Sequence, residues 1–172
     1  PHCGLLHFYI HIMEMSPSPE KALEASYQLE SLIPDAGHLI HMPSHIYVLC
    51  GQYERTISAN IKAVEADDKY LAVQPGLGIF TIYLLHNYHF QVYGALFSGQ
   101  YAPAIRAANQ MCATVQPEYL RVDHAFLANY LEAFYGMKAH VYVRFGKWQE
   151  ILDEPLPDDP ALYCVTTAFW EY

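Results

Sequence analysis

The segment GHLIHMPSHIYVLCGQY sets His38, His41 and His45 at spacings of three and four around Pro43. His7 and His11 repeat the i, i+4 spacing in CGLLHFYIHIMEM, with Glu14 three residues further on, and HNYH adds His86 and His89. Each neutral imidazole offers one lone pair, and two imidazoles four positions apart on a helix reach a single ion between them. At 3.6 residues per turn, His7 and His11 stand about 40° apart and His38, His41 and His45 stay within about 60° of one another. The chemistry open to such a set is coordination of Zn, Fe, Cu or Ni, all of which accept neutral imidazole. The candidate metal ligands are His7, His11, His41, His45, His86 and His89. Glu14 is the one acid in its apolar stretch, and so a candidate carboxylate ligand or catalytic base; its bland alternative is a simple partner for His11. If a reaction occurs, a metal-bound water or oxygen species would carry it.

The competing account of these residues is structural. A lone His on an apolar helix is more often a satisfied interior side chain than a ligand, and that reading suits His2 and His124. A pooled set is different, because a neutral cluster buries many nitrogens that need partners and a shared ligand satisfies them together. Hydrogen bonds to tyrosines, acids and water would satisfy them too. Tyr9, Tyr47, Tyr88 and Tyr93 lie near the histidines in sequence, as supports for ligands or as lining. Pro43 also leaves two readings open. It bends one continuous helix between His41 and His45 and re-aims the two rings, or it opens a new helix at its favoured first position and leaves His38 and His41 on a preceding loop.

Helical periodicity runs through the elements that must hold these groups. Residues 3–15 are apolar nearly all round and stop at Ser16-Pro17-Ser18-Pro19, which predicts a buried helix. An amphipathic helix follows over 20–33 with Ala22, Ala25, Leu29, Leu32 and Ile33 as its stripe. Residues 38–50 pair with 53–67, whose inner stripe is Ile57, Ile61 and Val64; 82–97 pair with 101–115, and 133–145 with 148–152. No stretch carries the period-two alternation of a hairpin, so the expected fold class is all-α in a single domain over 1–172.

Composition narrows the function. Eighteen acidic against nine basic residues give a net charge of −9, which disfavours nucleic acid because no Lys/Arg cluster could displace phosphate counterions. No apolar run reaches the ~18 residues of a membrane span, so the protein is expected to be soluble and cytoplasmic, with no membrane partner. Cys3, Cys50, Cys112 and Cys164 show no CxxC pair and read as mostly buried thiols rather than nucleophiles. GxSxG, Walker and GxGxxG motifs are missing, and Gly76-Leu77-Gly78 lacks the strand-before-helix setting they need. The start at Pro1-His2 and the stop inside an apparent helix suggest a fragment of a longer chain.

Gly51-Gln52-Tyr53, Gly99-Gln100-Tyr101 and Gly146-Lys147-Trp148 share one pattern: a Gly ending a helix, a linker residue, and an aromatic opening the next. This resembles the tetratricopeptide repeat, with Pro17-Ser18-Pro19 and Ala22 filling the equivalent places of a first unit, and Pro17 to Gly51 spanning the usual repeat length of about 34 residues. The later units run longer, the excess lying in KYLAVQPGLGIFTIY and QPEYLRVDHAFLANY, and Thr56 and Ile151 stand where Ala is usual. The resemblance implies a right-handed superhelical solenoid of antiparallel helix pairs, with about four repeats and a truncated fifth at DPALYCVTTAFWEY. It implies a concave groove into which His7, His11, His38, His41, His45, His86, His89 and His140 point, with Tyr9, Tyr47 and Tyr93 beside them as lining. A peptide, protein or small molecule would bind there, a basic or neutral partner suiting the acidic balance. Repeat ends near Phe169 and Trp170 would allow self-association.

Overall fold

The computed structural model describes residues 2–171, and among them every regular element is helical, with no strand. Helix α1 (Cys3–Glu14) is closed by side chains: Ser16 Oγ donates to the Met13 carbonyl at 2.8 Å and accepts the Ser18 N–H at 3.2 Å. The expected helix over 20–33 is shorter at both ends. Pro19–Ala22 form a single 3₁₀ turn, α2 covers Leu23–Leu29, and beyond it the chain unwinds, with the Glu30 carboxylate meeting Arg55 at 3.3 Å and Lys62 at 3.2 Å.

The two readings of Pro43 each hold in part. Helix α3 spans Gly37–His41 and α4 spans Pro43–Leu49, with Pro43 at the first helical position. Met42 between them keeps helical angles (φ −52, ψ −38), and its N–H reaches the His38 carbonyl at 3.1 Å. The Ser44 hydroxyl takes up the His41 carbonyl at 2.6 Å. His38 and His41 therefore stand on a helical turn and not on a loop. Gly37 opens α3 in tight contact with α5, since a Cβ there would lie 2.1 Å from Asp67 Oδ1 and 2.9 Å from the Ala63 carbonyl oxygen.

The remaining helices are α5 (Tyr53–Val73), α6 (Ile79–Ser98), α7 (Tyr101–Thr114), the short α8 (Pro117–Leu120), α9 (Ala125–Tyr135), α10 (Met137–Arg144), α11 (Trp148–Asp153) and α12 (Cys164–Glu171). Helices α5 and α6 extend beyond their expected limits. The expected helix over 133–145 is divided at Gly136, and α9 occupies the segment read as an insertion. Three turns close in the same way. Gly51, Gly99 and Gly146 take left-handed φ values of 74, 72 and 64, and the next N–H reaches back five residues, Gln52 to Tyr47, Gln100 to Ala95 and Lys147 to Tyr142, at 2.8–2.9 Å. That is the glycine-ended helix closure in which only an achiral residue escapes a penalty of about 1–2 kcal/mol.

The main core gathers Leu85, Val92, Met111, Leu131 and Val141 from α6, α7, α9 and α10, and a second core gathers Ile10, Leu29, Met42 and Ile46 from α1, α2 and α4. Helix α5 packs along α6 and against α3 and α4, so it lies between the two. Two expectations about burial fail. Only Ile10 of α1 is buried, while Leu5, Phe8 and Ile12 are 70%, 64% and 68% exposed, because α1 has neighbours on one side only. Ile61 of α5 and Leu32 are exposed as well, and the inner side of α5 carries Thr56, Ala59, Asn60, Ala63 and Asp67, small or polar residues that admit close neighbours. No helix of the described residues is long and apolar enough to cross a membrane.

Candidate metal centre

Helices α1, α3, α4 and α6 bring six histidines into two groups of three. His7, His11 and His38 form one, and His41, His45 and His86 the other; within each group one ring nitrogen per residue lies within 4.8 Å of the others. The groups adjoin, with ring centroids of His11 and His45 6.0 Å apart and those of His38 and His41 6.1 Å apart. The i, i+4 spacing of His7 with His11 and of His41 with His45 does what the sequence suggested, placing those rings 4.7 and 4.8 Å apart.

Hydrogen bonds fix how the rings present their nitrogens. Asn60, fully buried on α5, donates through Nδ2 to the Thr56 carbonyl at 2.8 Å, which turns its Oδ1 toward His41 Nδ1 at 2.6 Å. His41 therefore carries its proton on Nδ1, and its Nε2 faces His45 Nε2 at 2.8 Å. His7 and His38 meet the same way, Nε2 to Nε2 at 3.1 Å. Glu14, at the end of α1, touches both groups, with Oε1 3.0 Å from His11 Nδ1 and Oε2 against His45 Nδ1. Phe90 lies 4.6–4.9 Å from the rings of His41, His45 and His86, and Tyr83 stacks on His38 at 4.5 Å.

Burial sets the electrostatics. It holds His38 and His86 down to about 4, with neighbouring imidazoles adding to the effect, and holds His41 far below the usual histidine range. His7 and His89 are lowered for the same first reason. Burial pushes the Glu14 carboxyl up, but hydrogen bonds and charge from His45 and His11 outweigh it and hold the group at about 2. Burial thus favours the uncharged form of His7, His38, His41 and His86, the form in which imidazole binds metal, and a carboxylate lies beside them.

The structure separates the other candidates from this set. His89 stands next to it, its ring 6.4 Å from His86, but belongs to neither group and packs against Tyr93 and Phe134. His140 is exposed on α10 and packs on Phe169. Tyr9 is directed to the Lys21 carbonyl at 3.5 Å, and Tyr47 bonds Glu30 at 2.9 Å and stacks on Tyr27, so neither supports the imidazoles. Tyr93 borders His89 only, and Tyr88 sits in the main core. The groups missed in the sequence are Asn60, Phe90 and Tyr83. Asn60 left a trace: Thr56, Asn60 and Asp67 recur at helical spacing among the alanines of α5, a polar row where an aliphatic one would be usual. Among the described residues the four cysteines form no disulfide. They are less buried than expected, with Cys164 exposed, and burial raises the Cys112 thiol to about 11, which makes it a poor nucleophile.

No family model matches the chain, and neither does any curated protein or solved structure.

Proposed function

We propose that this protein binds a transition metal through the imidazoles of His7, His11, His38, His41, His45 and His86, on a helical-repeat scaffold similar to the tetratricopeptide class. One observation carries the reading. Six imidazoles converge in two groups whose facing nitrogens lie 2.8 and 3.1 Å apart, with a carboxylate touching both groups. A cation between facing nitrogens satisfies both at once, and a borderline ion such as Zn, Cu or Fe is the kind that all-imidazole sites accept. Bound there, the metal would act as a Lewis acid and as an activator of water or oxygen. Around it the chain contributes orientation: Asn60 fixes His41, Glu14 fixes His11 and His45, and Phe90 walls three rings from water. The repeat scaffold is supported by the three identical glycine closures at Gly51, Gly99 and Gly146, each followed by a helix that opens with Tyr53, Tyr101 or Trp148.

Elemental mass spectrometry on protein purified without a polyhistidine tag tests the metal. Stoichiometric Zn, Cu or Fe, lost in a His41→Ala/His45→Ala variant that remains helical, is the expected result; protein that neither carries nor takes up any of these ions refutes it.

A second reading is favoured by the aromatic row that continues from the histidines: Tyr93 and Phe97 lie partly exposed on α6, and Phe126 and Tyr130 on α9. On that reading the chain is a binding scaffold, the imidazoles are lining, and a peptide or protein partner of neutral or basic character lies along the row. Binding of such a peptide that persists with the metal chelated favours the scaffold.

A further inference from the structure

We infer that the centre holds two metal ions, one in each histidine triad, and that Glu14 is the positioning carboxylate that serves both. The inference rests on the metal-binding reading above and adds the number of ions and the role of Glu14.

The count follows from where the ring nitrogens point. In the triad of His41, His45 and His86, His41 Nδ1–H donates to Asn60 Oδ1 and His45 Nδ1–H to the Glu14 carboxylate, which turns the Nε2 atom of each ring inward. Their Nε2 atoms then face each other at 2.8 Å. In the metal-free chain one proton joins the pair as an N–H···N hydrogen bond, and a cation can take that proton's place. Two nitrogens bound tetrahedrally to one ion at 2.0–2.1 Å lie about 3.3 Å apart, so the pair needs to open by only a few tenths of an ångström. The triad of His7, His11 and His38 has its own facing pair, His7 Nε2 and His38 Nε2, at 3.1 Å. No nitrogen is common to the two triads, and their rings stay about 6 Å apart where they adjoin. One ion cannot satisfy both facing pairs; two ions can, each with three imidazoles and a position left open.

The two triads are joined by one side chain. Glu14 places one oxygen on His11 Nδ1, in the first triad, and the other on His45 Nδ1, in the second. A carboxylate that accepts from the far nitrogen of a ligating imidazole fixes its tautomer and raises its basicity, and loss of such a partner typically weakens metal affinity about 10–100-fold. Here one carboxylate does this for two sites. That assigns Glu14 away from the base or direct-ligand role considered from the sequence, because both its oxygens already accept from imidazoles.

The test uses the full chain titrated with zinc and with cobalt, read by calorimetry, by the visible spectrum of bound cobalt and by elemental analysis. The parent is expected to bind about two equivalents, and His38→Ala and His86→Ala about one each. Their helical content is checked by circular dichroism, and His7→Ala and His45→Ala replace any variant that fails to fold. One equivalent in the parent, abolished by either substitution, overturns the two-ion assignment and leaves the metal-binding reading standing. No uptake in any protein removes both. For Glu14 the informative change is Glu14→Gln. Glutamine keeps the shape but offers a single acceptor oxygen, so it can orient one triad and not the other, and one equivalent should stay tight while the second weakens about 10–100-fold. Glu14→Ala should weaken both. Glu14→Gln binding identical to the parent, or equal weakening of both sites by Glu14→Gln, overturns the shared positioning role.

Discussion

Asn60→Ala is the substitution for which the structure gives the sharpest numbers. The side chain is fully buried, and among the described residues its Oδ1 is the one acceptor for His41 Nδ1, itself fully buried. Its removal leaves an interior N–H unpaired, at about 1–3 kcal/mol. For a chain of this size each kcal/mol moves Tm by about 2–4 °C, so the metal-free variant is expected to melt roughly 2–12 °C below the parent. The same change releases His41 to carry its proton on Nε2, the atom that would otherwise bind metal. Zinc affinity should therefore fall about 10–100-fold, equivalent to about 1.4–2.8 kcal/mol. Asn60→Asp keeps an acceptor at the same place and should restore most of the affinity. The assays are thermal unfolding followed by circular dichroism and zinc titration against a chromophoric chelator. A variant that melts lower yet binds zinc within about twofold of the parent would refute the argument, since Asn60 would then be a packing residue with no hold on the tautomer of His41.

Three further outcomes are expected. Asp67 is buried beside Asn87, which donates to it at 2.7 Å, and burial raises its carboxyl to about 7. The folded chain then keeps a proton that the unfolded chain releases near pH 4, so stability falls as pH rises from about 4 to about 7, by at most ~4 kcal/mol, and levels off above; denaturation of Asp67→Asn across this range should lose that slope. Gly37→Ala forces a methyl group onto the Asp67 carboxylate and the Ala63 carbonyl, and should cost about 1–3 kcal/mol, more than the gain of under about 1 kcal/mol from a less flexible unfolded chain, so a Tm at or above the parent's sinks this account. Gly99→Ala meets no atom within 4 Å but must hold φ 72, and a loss of about 1–2 kcal/mol in chemical denaturation is expected from the backbone alone.

Much of the helical order was legible because proline and glycine punctuate it. Ser16-Pro17-Ser18-Pro19 ends α1, and the three Gly-x-aromatic turns fall at helix junctions. The pairs His7 with His11 and His41 with His45 were legible for the same local reason, since spacing on one helix decides them. Local pattern says little about which helices face one another, and there the reading ran short. His38 and His86 join opposite triads, a fact of packing between α1, α3, α4 and α6. Tyr9 and Tyr47 are close to the histidines in sequence yet turn to Lys21 and Glu30. The all-apolar face of α1 suggested burial, but hydrophobicity states a preference and only a covering neighbour can satisfy it; Leu5, Phe8 and Ile12 stay largely exposed. Helix α9 was missed because QPEYLRVDHAFLANY opens with a short turn, α8, and the His124 side chain then caps the new helix at the Leu127 N–H, 3.2 Å away.

Both triads and their supports are encoded between His7 and Phe90, and α7 to α12 add no nitrogen to either. Order along a chain is also order in time during synthesis, where earlier segments fold while later ones are still being made. Once α6 has left the ribosome, all six imidazoles, Glu14 and Asn60 are outside it. If the chain binds a metal, the ion could thus be captured by a growing polypeptide in which α7 to α12 do not yet exist, and those helices would then assemble on a segment already fastened by it.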